Sequence, residues 1–384
     1  MRILKNLVAV SAVAAVASAL AMAPALADPV NGHLKPVTPL PYDIVGVGSD
    51  TTQNMLDQLS VDYNAAHKTH NATHPYIYSW DATPPSDPTI TTPTLIKPKA
   101  GCSSKTVRPD GSSAGITDLT TTQKIKYKGK TYPCFDFSRS SRPRKATDPG
   151  KTSIVFVTLA RDAVTYATSA VTNAPANLTA KQLTEIYSCT VQATGGHPAN
   201  NWADLGGKSG TIDPILPQSG SGTLSFFLGA IGVTTPGSCV NATTPEENEG
   251  TAPVFSTDSA NLIFPFSAGA YIADKYHSPA CKKKPGAGQN DFGCNQTGKL
   301  ILRSINGEAP TSGTGSKTVI DSKFPPTFKR FLYDVVPYAA GTANHIPANL
   351  AGFFSKTGWF CSSARGSVIR DYGFLTTPLC GFTS

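Results

Sequence analysis

The stretch "PQSGSGTLSFF", residues 217–227, places Gly220, Ser221, Gly222 and Thr223 directly before an apolar, helix-like segment. Glycine lets a backbone turn tightly and approach a ligand closely. The first N–H groups of a helix have no partner inside it, and the helix dipole favours negative charge there. Serine and threonine hydroxyls add neutral donors. The arrangement suits a small anion; the competing reading is a Gly/Ser turn ahead of an ordinary capped helix. Two more turns, 46–52 and 111–116, share the order strand, Gly/Ser/Thr, helix, and a further hydroxyl cluster lies at 138–141. In open α/β sheets, ligands sit beyond the carboxyl ends of strands, against helix N-termini. Three such turns can therefore converge on one small anion.

Other chemistry has less support. His67, His70 and His74 could share a helical face and bind a metal, but Asn, Thr and Pro in "HKTHNATHP" favour a solvated helix end. A nucleophile elbow needs glycine two residues before the serine, and Ser219 stands there ahead of Ser221. Glu246, Glu247, Glu249 and Asp258 read as a solvated acidic loop rather than an acid/base pair. Trp80, Trp202 and Trp359 are scattered, as core or surface residues would be.

The elements that must hold these turns alternate. "YDIVGVGSD" predicts a strand running into a glycine turn, and Met55, Leu56, Leu59 and Tyr63 then mark one helical face. Residues 81–100 are rich in Pro and Thr and read as irregular. Strands are predicted at 135–142, 153–160 and 331–339, with a short one in "TIDPILPQ". Thr179 and Gln182 have the spacing of a capping box before a helix. Residues 261–276 read as a strand and then a helix. Short strands alternating with helices indicate α/β architecture, and the length fits two domains of ordinary size.

Arg2, Lys5 and the apolar run after them read as an export signal, with "ALA" at 25–27 as the cleavage site and Asp28 as the first mature residue. Residues 28–41 read as an extended leader. No cysteine precedes Cys102, so the signal offers no lipid-attachment cysteine, and a secreted, soluble protein is expected. The chain has 33 basic and 25 acidic residues; losing Arg2 and Lys5 leaves a mildly basic +6. The one cluster, Lys282–Lys284, has no aromatic neighbours, which argues against nucleic-acid binding. Eight cysteines in an exported chain imply disulfides. Nearest-neighbour pairing (102–134, 189–239, 281–294, 361–380) is the simplest expectation, and no CxxC pair suggests zinc.

Taken in series, "GVGSDTTQ", "GSSAGI", "FDFSRSS" and "GSGT", with "LTAKQLTEIYS" and "NWADL" before the last, carry a resemblance. The sequence resembles the exported solute-binding proteins of ABC phosphate-uptake systems, of the type II periplasmic-binding-protein fold, as a diverged member of actinobacterial type. The resemblance implies two α/β lobes with a hinge and an interlobe cleft: 42–152 with 325–384, and 153–324. It implies anion contacts from Asp50, Thr51, Ser112, Ser141, Ser221, Gly222 and Thr223. It also implies a non-catalytic, monomeric binder of phosphate without a cofactor, and an ABC permease as partner. Three charged positions of the family differ: Ser141 replaces a carboxylate that takes the phosphate proton, and Pro217 and Ser219 replace an Arg and the Asp that holds it. Arg139 or Arg142 could restore the positive charge, and Asp50 could cap its own helix or accept a ligand proton. Two other classes stay open: a secreted phosphate-ester hydrolase with a serine nucleophile, and an interaction protein that kept the fold and lost the ligand.

Overall fold

The computed structural model describes residues 28–30, 36–194, 196, 199–276 and 297–384. The export signal, the 281–294 cysteine pair and Lys282–Lys284 lie outside the described residues.

One eight-stranded sheet runs through the molecule. Its strands are β1 (Ile44–Gly48), β2 (Ile77–Ser79), β3 (Phe137–Ser140), β4 (Ile154–Ser169), β5 (Asp213–Pro214), β6 (Leu262–Ser267), β7 (Leu300–Leu302) and β8 (Lys329–Pro337). The order is β5-β6-β4-β8-β3-β1-β2, with β7 also on β4. β1 is parallel to β2 and β3, and β5 is parallel to β6. β4 pairs antiparallel with β6, β7 and β8, and β8 also pairs antiparallel with β3. Buried β-branched and aromatic residues on the central strands fit a sheet covered on both faces.

β4 is twice the length its apolar start predicts: 16 residues, about 50 Å at the usual rise. It passes through two cores. One gathers Ile44, Met55, Leu56, Phe137, Val157, Leu159, Ala160, Leu332 and Phe353. The other gathers Ala163, Val164, Tyr166, Leu183, Tyr187, Trp202, Phe227 and Phe328. Near the division the β4–β8 ladder slips: Leu332 pairs with Ala160 but Tyr333 with Thr158, a bulge at Leu159.

Three of the five helices that matter, the first, second and fourth, follow glycine turns. The five are α1 (Gln53–Ala66), entered through a single 3₁₀ turn at Asp50–Thr52, then α2 (Gly111–Thr121), α3 (Ala180–Ser188), α4 (Gly222–Ala230) and α5 (Ala268–Tyr276). The Thr179/Gln182 capping box forms as its spacing predicts. Disulfides 102–134, 189–239 and 361–380 are present, and no described cysteine is free. The three histidines disperse. His67 stacks on Tyr63, His70 pairs with Asp43, and His74 is exposed. Among the described residues, no group of three acidic, His or Cys side chains could hold a metal, and no helix is long and apolar enough to cross a membrane.

Candidate anion-binding site

α4 starts with Ser221 as its N-cap, whose Oγ accepts from Leu224 N at 2.9 Å. The freed donors point at one acceptor. Ser221 Oγ donates to Glu247 Oε2 at 2.7 Å, and Thr223 N donates to the same oxygen at 2.9 Å. Thr51 Oγ1, from the first glycine turn, approaches it at 3.5 Å. A carboxylate therefore sits at the helix start, where the helix dipole favours negative charge. Residues 245–250 are buried throughout, and Glu247 is 0 % exposed. This corrects the reading of Glu246, Glu247 and Glu249 as a solvated loop; only Asp258 is exposed. The composition "PEENEG" gave no sign of burial, because the groups that accept Glu247 lie far away in the chain.

The positive charge comes from β8. Arg330 and Asp162 are direct cross-strand partners. Arg330 Nε and Nη2 donate to Asp162 Oδ2 at 2.9 and 2.8 Å, and Asp162 also accepts from Ser267 Oγ and Gly269 N. Nη2 reaches Thr223 Oγ1 at 3.0 Å, and Thr223 Oγ1 lies 3.2 Å from Thr51 Oγ1. The guanidinium also lies over the Phe226 ring. Sequence reasoning missed this pair, having looked for an Arg and its Asp beside the GSGT turn. A signal existed: charged residues inside two apolar strand segments, "LARDAVTY" and "FKRFLYDVV". A buried charge needs a partner. Two groups at this site have none: Arg330 Nη1 and Glu247 Oε1 are buried without a hydrogen bond. Each such group costs about 1–3 kcal/mol.

The 111–116 turn and the 138–141 hydroxyl cluster close over the start of α4. Ser112 Oγ accepts from Ser141 N at 3.1 Å and lies 3.4 Å from Ser141 Oγ. Both hydroxyls press on Gly222, where an added Cβ would overlap them. Ser113 N donates to Gly220 O at 3.2 Å, joining α2 to the α4 turn. Gly111, at φ +84°, leaves the room this approach needs; a Cβ there would lie 2.5 Å from Gly220 O.

Asp50 does not cap its own helix, since Ser49 and Thr52 hold the capping positions. Its Oδ1 accepts from Asn248 Nδ2 at 2.8 Å, and Asn248 Oδ1 accepts from Ser267 N at 3.0 Å. Burial, then the charge of Glu247, raises the Asp50 carboxyl well above its ordinary value. Burial and nearby Asp110 push Glu246 to about 10, while Asp110, also buried, rises to about 6. Burial and Asp50 likewise raise Glu249.

The expected arginines go elsewhere. Arg139 donates to Ser79 Oγ at 2.6 Å and to the Ser49 and Gly48 carbonyls, and Arg142 makes a bidentate pair with Asp148. The structure thus brings Asp50, Thr51, Ser112, Ser141, Ser221, Gly222 and Thr223 together, and leaves the Arg139 guanidinium hydrogen-bonded beside β1 and β2.

The family profile described as the PBP superfamily domain matches residues 38–299, two-thirds of the chain. The chain belongs to the PBP superfamily. Its α/β architecture is the type II periplasmic-binding fold. Two solved PBP-type structures illustrate the likeness. One is an ABC-type phosphate transport receptor from Vibrio cholerae: 17% identity, TM-score 0.51, covering 87% of this chain and 100% of that one. The other is a phosphate ABC transporter substrate-binding protein from Clostridium perfringens, solved with phosphate bound: 13% identity, TM-score 0.52, covering 87% of this chain and 99% of that one. No curated protein matches the chain. At these identities the likeness to the solved structures speaks for the fold.

Proposed function

We propose that this PBP-superfamily chain is an exported, non-catalytic binding protein that holds a small tetrahedral oxyanion, phosphate first, between two lobes. The lobes are 42–152 with 325–384, and 153–324. The observation that carries this reading is the convergence on the α4 N-terminus of Ser221 Oγ, Thr223 N, Thr51 Oγ1 and an arginine, Arg330, clamped by Asp162 with one nitrogen unused. Ser112 and Ser141 complete the cage against Gly222. The named ligands of the two solved structures support phosphate over other oxyanions, and their association with ABC transporters supports a permease partner. The assignment of Asp50, Thr51, Ser112, Ser141, Ser221, Gly222 and Thr223 as ligand contacts is retained; Arg330 takes the place considered for Arg139.

Calorimetry with phosphate and sulfate tests this on wild type, Arg330→Gln and Thr223→Val. Phosphate binding by wild type, lost in both folded variants, is the expected result. A second reading has one observation in its favour: Glu247 already fills the helix start, as it would in a protein that kept the fold and lost the ligand.

A further inference from the structure

We infer that loop 245–250 is a tethered ligand of the cleft: the Glu247 carboxylate occupies the oxyanion seat and a free anion must displace it. The inference builds on the proposed function, but its test can fail separately.

Three observations carry it. Glu247 Oε2 takes the donors an anion oxygen would take, Ser221 Oγ, Thr223 N and the more distant Thr51 Oγ1. The loop is seated in the cleft rather than resting on its rim. Glu247 N donates to Gln218 Oε1 at 2.9 Å, Gln218 N donates to Pro245 O at 2.9 Å, and Asn248 ties Asp50 to Ser267 N. Finally, the carboxylate uses the seat incompletely. Its second oxygen, Oε1, and Arg330 Nη1 are both buried and both without a partner. A flat carboxylate held at the end of a fixed loop does not satisfy both. A free tetrahedral anion carries oxygens in more directions than a carboxylate fixed on a loop, so it can keep the contacts at Ser221 and Thr223 and still reach further donors, among them the Thr223 hydroxyl that Arg330 Nη2 already touches. The seat therefore holds Glu247 and is better matched by something else. Glu247 thereby becomes an affinity-setting residue that lowers the cleft's apparent affinity by the fraction of time it fills the seat.

Glu247→Ala removes one methylene and the carboxylate group beyond it, a shape that acetate restores. The experiment measures phosphate affinity by calorimetry and acetate-induced thermal shift, on wild type, Glu247→Ala and the near-isosteric Glu247→Gln. Glu247→Ala is expected to bind phosphate about tenfold tighter than wild type or more, with acetate competing, and Glu247→Gln to fall between. Acetate should raise the melting temperature of Glu247→Ala and leave wild type unmoved. If Glu247→Ala takes acetate and no phosphate, the tethered-ligand inference stands and the oxyanion function falls. If the folded variant ignores acetate and binds phosphate no better than wild type, the inference is overturned. Should Glu247→Ala not fold, Glu247→Gln decides: unchanged or weaker phosphate binding overturns the inference, and tighter binding supports it.

Discussion

At the scale of single residues, the site depends on one charge pair and one missing side chain. Removing one partner of a buried ion pair leaves the other uncompensated, at a cost of about 3–5 kcal/mol. Asp162→Asn should therefore lower unfolding free energy by about that amount in urea denaturation, with Arg330 still in place. The double variant Asp162→Leu/Arg330→Met should recover most of the stability and remain unable to bind phosphate, separating the pair's structural part from its binding part. Gly222 is the complementary case. A methyl group there meets Ser112 Oγ and Ser141 Oγ, so Gly222→Ala should fold with its secondary structure intact and lose phosphate binding in calorimetry. The glycine turns were legible in the sequence because glycine and hydroxyls at a helix start have a local meaning. Arg330 and Asp162 show in the sequence only as charges inside apolar strand segments, with no sign of what they face, and Glu247 does not show at all. The Ser221–Glu247 contact spans 26 residues and the Thr51–Glu247 contact 196, and no local pattern announces a partner that distant.

At the scale of elements, the strand–turn–helix units formed where alternation and capping place them. The misreadings came from long-range pairing. β4 continues past its apolar start because β8 pairs with it as far as Ala163 and β6 and β7 pair with Val164–Ser169, and tertiary pairing outweighs a strand's own pattern. The expected strand in "TIDPILPQ" shrinks to Asp213–Pro214 because only β6 pairs with it. Local chemistry should still be measurable where it acts alone. Thr179→Ala removes the reciprocal cap of α3 and should cost about 1 kcal/mol in a denaturant titration. The Cys189–Cys239 bridge joins the end of α3 to the segment leading into loop 245–250. Replacing both cysteines by alanine should cost about 2–4 kcal/mol without altering the 102–134 and 361–380 bridges, as peptide mass mapping would show.

At the scale of the whole molecule, buried carboxylates set the response to pH. Burial raises Asp110 to about 6, Asp28 to about 7, Asp334 to about 8 and Glu246 to about 10. Each such acid binds its proton more tightly when folded than when unfolded. Its stabilising contribution is complete below the unfolded value, near 4, and is lost as pH rises through the folded value. The melting temperature should therefore fall between pH 5 and pH 9, and Glu246→Gln should flatten that slope at its alkaline end. A melting temperature that rises across this range would contradict the raised values. The bulge on β4 has a different consequence, one of phase. Thr158 and Ala160, on either side of Leu159, face the consecutive residues Tyr333 and Leu332, so Leu159 is one residue more than the alternation of the ladder needs. Deleting Leu159 would leave Thr158 facing Tyr333 and Ala160 facing Leu332, with every other side chain on its present face. Deleting any other residue of the strand would invert one side of it, exchanging Ile154 and Phe156 with Val155 and Val157, or turning the far half over. A deletion scan of β4 should therefore find its least disruptive position at Leu159 and frameshift-like failure at its neighbours, marking the extra residue of the strand without a ligand.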